Sequence, residues 1–204
     1  MTRDKTAWRR GSVFALIAIS AWIASASQVR AQSDTPKYTP TGELLTPVGF
    51  ETWVFVGSNL GMAYKEESPA MTAREASRAE KQVFHNVYLA PQAYPQFVAT
   101  KKFPDLTVLV MEVFTAADKD PKGDVLAKGV YNGERVGLEV AVKNLHRPDG
   151  EQTPWAYYDF TPEGTVLPSA PAKKDPQCQN CHALHASVDN VWVQFYPILR
   201  KLLQ

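Results

Sequence analysis

The sequence predicts an α+β fold: a mainly antiparallel β-sheet with flanking helices and a short C-terminal helix that carries a cysteine pair. Three observations predict it. Aromatic and β-branched runs recur through the middle of the chain. In one of them Val136, Leu138, Val140 and Val142 alternate with Gly137, Glu139, Ala141 and Lys143, the period of a strand with one covered face. These runs are separated by turn signals such as Pro104-Asp105 and Pro148-Asp149-Gly150, with no regular βαβ alternation, which favours antiparallel neighbours. No internal repeat and no nucleotide-binding glycine loop interrupts the pattern.

In order, residues 1–31 have the layout of a secretory signal peptide. Arg3, Lys5, Arg9 and Arg10 precede an apolar run from Val13 to Ala26, and Val29-Arg30-Ala31 supplies a cleavage site after Ala31. The run is shorter than the ~20 residues a spanning helix needs, so the expectation is export to the periplasm without a membrane span. Removal of five basic residues and one acid takes the formal charge from +1 to −3. No basic excess remains to attract nucleic acid or an anionic membrane. Residues 32–204 are then long enough for a single domain with its own core.

Residues 32–49, polar and proline-containing, read as a leader that orders only where it docks. Residues 50–57 (FETWVFVG) are a strand or the end of a short helix, and residues 66–82 a solvated helix of mixed charge. Strands are expected at 83–89 (VFHNVYL), 107–114 (TVLVMEVF), 136–143 and 155–160 (WAYYDF), with a short helix over 91–100 that begins near Pro91. Residues 164–177, with Pro168, Pro171 and Pro176, are an extended connector. A short helix follows over 178–186, then an apolar run over 191–203 that turns helical after Pro197.

The chemistry is concentrated in Cys178-Gln179-Asn180-Cys181-His182, which holds the only two cysteines of the chain. C-x-x-C-H is the attachment signature of a c-type haem. Two thiols three positions apart on one helical turn reach the two vinyl groups of the macrocycle, and the adjacent imidazole ligates the iron. The expectation is one covalent haem c per chain, with Cys178 and Cys181 as thioethers and His182 as proximal iron ligand. A Cys178–Cys181 disulfide closes too small a loop to stabilise much. A dithiol oxidoreductase needs a thioredoxin-like βαβ context, which is missing.

The setting of this motif resembles the cytochrome P-460 family, whose relatives include the β-sheet cytochromes called cytochrome c′-beta. The resemblance rests on Trp155 to Phe160, the proline-rich connector, the haem motif and Val188-Asp189-Asn190-Val191-Trp192-Val193-Gln194-Phe195-Tyr196-Pro197. Upstream it continues through Phe84-His85-Asn86-Val87-Tyr88, Phe103 to Val110 and Val136 to Glu139. It implies an antiparallel β fold, often a homodimer, and an iron with His182 on one side and a ligand-accessible position on the other. The family's name-giving enzymes oxidise hydroxylamine and carry a lysine crosslinked to the haem, in a strand just after a Gly-Thr pair. Here Met111 stands at the lysine position and Leu106 at the glycine. A thioether cannot supply the amine nitrogen of that link. The expectation therefore shifts from hydroxylamine oxidoreductase towards an uncrosslinked cytochrome that binds or redox-transforms small nitrogen species such as nitric oxide or hydroxylamine. The alternative is an electron-transfer cytochrome with six-coordinate haem, serving a redox partner protein.

On the distal side, His85 is a residue that hydrogen-bonds a bound ligand, a direct iron ligand or a packed strand histidine. Met111 is a pocket-lining side chain, a sixth ligand or a covalent sulfur link. Glu112 points opposite to Met111 by strand parity. Phe84, Phe103, Phe114, Tyr158 and Phe160 either wall the pocket or are sheet core. His185, one turn after His182, and His146, beside a turn, read as structural. The second ring nitrogen of His182 requires a carbonyl or carboxylate partner, with Asp189 and Gln194 near enough in sequence.

Overall fold

The computed structural model describes residues 34–65, 68, 73–119, 122, 127–147, 149, 151, 153–174 and 176–204. The signal-peptide expectation for residues 1–31 lies outside these. The strands are β1 (Leu44–Leu45), β2 (Val54–Leu60), β3 (Val83–Leu89), β4 (Val108–Ala117), β5 (Tyr131–Lys143), β6 (Trp155–Asp159) and β7 (Ser169–Ala170). The helices are α1 (Ala73–Lys81), α2 (Ala93–Thr100), α3 (Pro176–His185) and α4 (Pro197–Arg200). Strands β2 to β6 form one meander in chain order, every neighbour antiparallel, and β1 pairs with β7 beside it. This is the expected α+β architecture.

Alternation along the strands explains why the sheet has two buried faces. On the first face Val108 and Val110 of β4, Leu138, Val140 and Val142 of β5, and Ala156 and Tyr158 of β6 pack with Leu44, Phe50, Phe160 and Ala170. The residues between them, Leu109, Met111, Ala141, Trp155 and Tyr157, turn to the second face. There they meet Phe97 of α2, Phe103, and Val191, Val193 and Leu199 of the C-terminal segment. β3 reaches the second face with Val87 and Leu89. Within residues 34–49, Leu44 and Leu45 pair with Ala170 and Ser169, and Leu44 joins the first core.

Residues 50–57 combine both expectations: a 3₁₀ turn at Phe50–Thr52 leads directly into β2. Of the helix expected over 66–82, α1 covers Ala73–Lys81, residues 66, 67 and 69–72 lie outside the described ones, and α1 is not wholly solvated. Arg78 is buried, with 7% of its side chain exposed, and bonds across to the sheet. Gln82, at φ 50°, ends α1 in the left-handed region and turns the chain into β3. Leu106 also lies there, at φ 59°. That explains why glycine suits the position in the family pattern, since a side chain in this region costs roughly 1–2 kcal/mol.

Candidate functional site

Pro176 starts α3 at a position where its missing N–H costs nothing. Cys178, Cys181 and His182 follow at i, i+3 and i+4, which places them on one helix face. Neither cysteine is in a disulfide and both are half-buried. Burial pushes the Cys181 thiol up. A raised thiol is the opposite of what a disulfide oxidoreductase needs. The helix is tied to the sheet by the Gln179 side-chain N–H, which donates to the Trp155 carbonyl at 2.8 Å.

His182 is fixed from three sides. Its Nδ1 lies 2.9 Å from the Asn190 carbonyl, which can only accept, so Nδ1 carries the proton and Nε2 keeps its lone pair. The Trp192 indole N–H donates to that Nε2 at 3.2 Å. The Tyr157 ring packs on the imidazole at 4.3 Å and Trp192 meets it edge-on at 5.4 Å. Burial lowers the imidazole's proton affinity, while the Asn190 hydrogen bond and the Glu139 carboxylate raise it.

The Asn190 carbonyl is delivered by a tight turn. Asp189 and Asn190 both have positive φ, at 46° and 60°, and Val188 bridges to Val191 across them. Asp and Asn tolerate that geometry better than other side chains. The turn is anchored by Asp189, which accepts from the Lys143 ammonium at 2.7 Å and the Trp155 indole at 3.4 Å. Neither Asp189 nor Gln194 is the partner of His182. Gln194 instead joins Ser187 and the His185 carbonyl. His185 stacks on Trp192, which stacks on Phe195, a structural role.

His85 and Met111 both lie on the second face, the face Tyr157 shares with His182. His85 opposes Val113, and Met111 lies between Val87 and Glu139 in the ladder. His85 is largely buried; burial is the main reason its proton affinity is lowered, and its Nδ1 has no hydrogen-bond partner among the described residues. Met111 packs partly buried against the second core. Glu112 faces the other way, bonded to Arg135 at 3.0 Å. Of the five candidate wall rings, Tyr158 and Phe160 are core of the first face, and Phe84 opposes Phe114 on that same face by parity. Phe103 alone is on the His182 side, packed on Phe97 at 4.6 Å and Trp155 at 6.0 Å. Of the two readings of these rings, sheet core is the one that holds for the four on the first face, which strand alternation turns away from Tyr157 and His182.

Two residues on the second face escaped sequence reasoning. Arg78 of α1 and Glu139 of β5 form an ion pair at 2.8 Å. The available signal was Gly137, a lone glycine inside a strand, which marks a close approach. A Cβ there would lie 2.5 Å from Arg78 Nη2 and 2.8 Å from Val113. A separate groove beside α3 is bounded by Arg147, Asp149, Lys173 and Lys174, and none of His85, Met111 and His182 lines it.

The donor set suits haem iron better than a bare metal ion. Among the described residues no three His, Cys, Asp or Glu side chains group as a metal site, whereas one neutral imidazole, its Nε2 lone pair met only by the Trp192 indole N–H, beside two thiols fits a thioether-held haem. The family model described as Cytochrome P-460 matches residues 47–193, taking in β2 to β6 and all of α3. No curated protein matches the chain.

Proposed function

The chain belongs to the cytochrome P-460 family, which makes it a c-type haem cytochrome, and from that premise we propose that it is an exported mono-haem protein binding or redox-transforming small nitrogen species. In this reading residues 1–31 are the signal peptide and residues 32–204 the mature periplasmic domain. Cys178 and Cys181 hold one haem c through thioethers and His182 ligates its iron. His85 and Met111 line the ligand side. Among the described residues no helix is long and apolar enough to cross a membrane.

One observation carries the reading: the Asn190 carbonyl holds the His182 proton on Nδ1 and so reserves the Nε2 lone pair for a metal, on the helix face that presents both thiols. That lone pair serves one partner at a time, so His182 would give up the Trp192 indole N–H in order to hold a metal there. Bound haem supplies a coordination position for the ligand nitrogen and an acceptor for its electrons. The chain's own part is to orient and to exclude water. Tyr157 covers the imidazole, Met111 offers a thioether surface without a nitrogen for crosslinking, and neutral His85 offers one donor and one acceptor to a small ligand.

The test is the optical spectrum of the mature protein, produced in a host competent for haem maturation, oxidised, reduced and after nitric oxide addition. A high-spin ferrous form that shifts with nitric oxide is the expected result. A low-spin spectrum unmoved by nitric oxide would assign a six-coordinate electron carrier instead. A colourless protein would end the haem reading.

A further inference from the structure

We propose that Lys143 is a positioning residue for the iron ligand: by neutralising Asp189 it keeps His182 a neutral imidazole donor and sets the reduction potential of the site. The proposal rests on the haem reading above. It concerns the helix side, where a short chain of contacts leads from β5 to the imidazole. The Lys143 ammonium donates to the Asp189 carboxylate at 2.7 Å. Asp189 directly precedes Asn190, both at positive φ, and the Asn190 carbonyl accepts the His182 Nδ1–H at 2.9 Å.

Lys143 is an unexpected residue for its place. It closes the row of β5 that turns Ala141 to the second face, and its ladder neighbour is the fully buried Trp155. Only 15% of its side chain is exposed. An ammonium there is costly unless its donors are met. The Phe103 carbonyl meets one at 2.8 Å and Asp189 another. The second oxygen of Asp189 takes the Trp155 indole N–H at 3.4 Å. The sheet thus holds the turn through one carboxylate, and the charge of that carboxylate is answered inside the fold.

The consequence for His182 is electrostatic. A carbonyl that accepts from Nδ1–H orients the ring and leaves the imidazole neutral. An unanswered carboxylate in the same turn would place negative charge beside the ring and draw on its proton. Negative charge near a haem iron favours the ferric state, and positive charge the ferrous state. Lys143 and Asp189 therefore act on the potential with opposite signs and largely cancel as a pair. A purely structural brace has no such sign. Loosening the turn from either end would weaken the same hydrogen bond and move the potential the same way.

The experiment is a spectroelectrochemical titration of the full haem-loaded protein as wild type, Lys143→Met, Asp189→Asn and the double variant K143M/D189N. Lys143→Met should shift the reduction equilibrium about tenfold towards the ferric form, and Asp189→Asn about tenfold towards the ferrous form. Each shift corresponds to about 59 mV for one electron. The double variant leaves no buried ion unpaired and should lie within about threefold of wild type. Should Lys143→Met fail to carry haem, Asp189→Asn decides alone, because it keeps the side chain's size, an oxygen acceptor and tolerance of positive φ. A raised potential then supports the role, and a lowered or unmoved one overturns it. Shifts of one sign in both single variants, shifts below about threefold, or a double variant displaced as far as either single would overturn the role while leaving the haem reading intact. A wild-type protein without haem would overturn both.

Discussion

The two sides of the site differ in how the chain assembles them. The helix side draws its chemistry from one continuous stretch, Cys178 to Trp192, in which a helix, a two-residue turn and an indole act on a single imidazole. The sheet side draws Arg78, His85, Met111 and Glu139 from α1, β3, β4 and β5, one residue from each. Local geometry secures the first. Only sheet register and the packing of α1 secure the second. The same contrast appears in their polar bonding: both His182 nitrogens are engaged, whereas His85 Nδ1 has no partner among the described residues. One side fixes a ligand atom, and the other leaves a polar atom for something to meet.

The largest effect should come from breaking the helix side. His182→Ala is expected to lose the native reduced spectrum and regain it in part on addition of imidazole, because the thioethers do not depend on the imidazole. Retention of the wild-type spectrum by the variant would mean that another residue ligates the iron. On the sheet side, Glu139→Leu alone leaves the Arg78 charge buried without its carboxylate. It should cost about 2 kcal/mol in urea unfolding, below the usual figure for a buried pair because the Glu139 side chain is 31% exposed. A change near zero would show that solvent already screens the pair.

The Asp189-Asn190 turn that holds His182 Nδ1 gives a smaller and more specific contrast. Asn190→Gly keeps the positive φ and the carbonyl, and should leave stability within a few tenths of a kcal/mol. Asn190→Val forces a β-branched residue into that region and should cost about 2 kcal/mol while altering the iron's axial-ligand spectrum. Equal behaviour of the two variants would remove the turn from the account.

Acid should separate the sides further. The folded proton affinity of His85 is depressed by burial, so its contribution to stability is intact above its unfolded pKa of about 6.5 and is lost as pH falls below that, through its lower folded value. The stability difference between wild type and His85→Leu should therefore move towards the variant as pH falls below about 6.5, read from urea midpoints. A pH-independent difference would contradict a buried neutral His85. The smallest effect belongs to Leu106→Gly, which relieves the φ of 59° and should stabilise by about 0.5 kcal/mol after the added flexibility of the unfolded chain is subtracted.

What could be read from the sequence follows the same division. Cys178, Cys181 and His182 were legible because helical spacing alone brings them together, and the strands because β-branched alternation is a local signal. The antiparallel sheet followed from turn signals between the strands and the lack of βαβ alternation. The Asn190 carbonyl was not legible, since a backbone acceptor leaves no mark in the residue type; attention fell on the carboxyl and amide side chains of Asp189 and Gln194 instead. Arg78 looked like one charge among many on a solvated helix, and only the packing of α1 onto Gly137 makes it internal. Tyr158 and Phe160 stayed open between pocket wall and sheet core because aromatic content says nothing about which way a strand faces. One step of parity decides it.

The measurement that bears most directly on the central claim is the intact mass of the mature protein under denaturing conditions. The expected mass is that of residues 32–204 plus a single covalently held haem. The mass of the bare chain, or of a chain two hydrogens lighter from a Cys178–Cys181 disulfide, would contradict it.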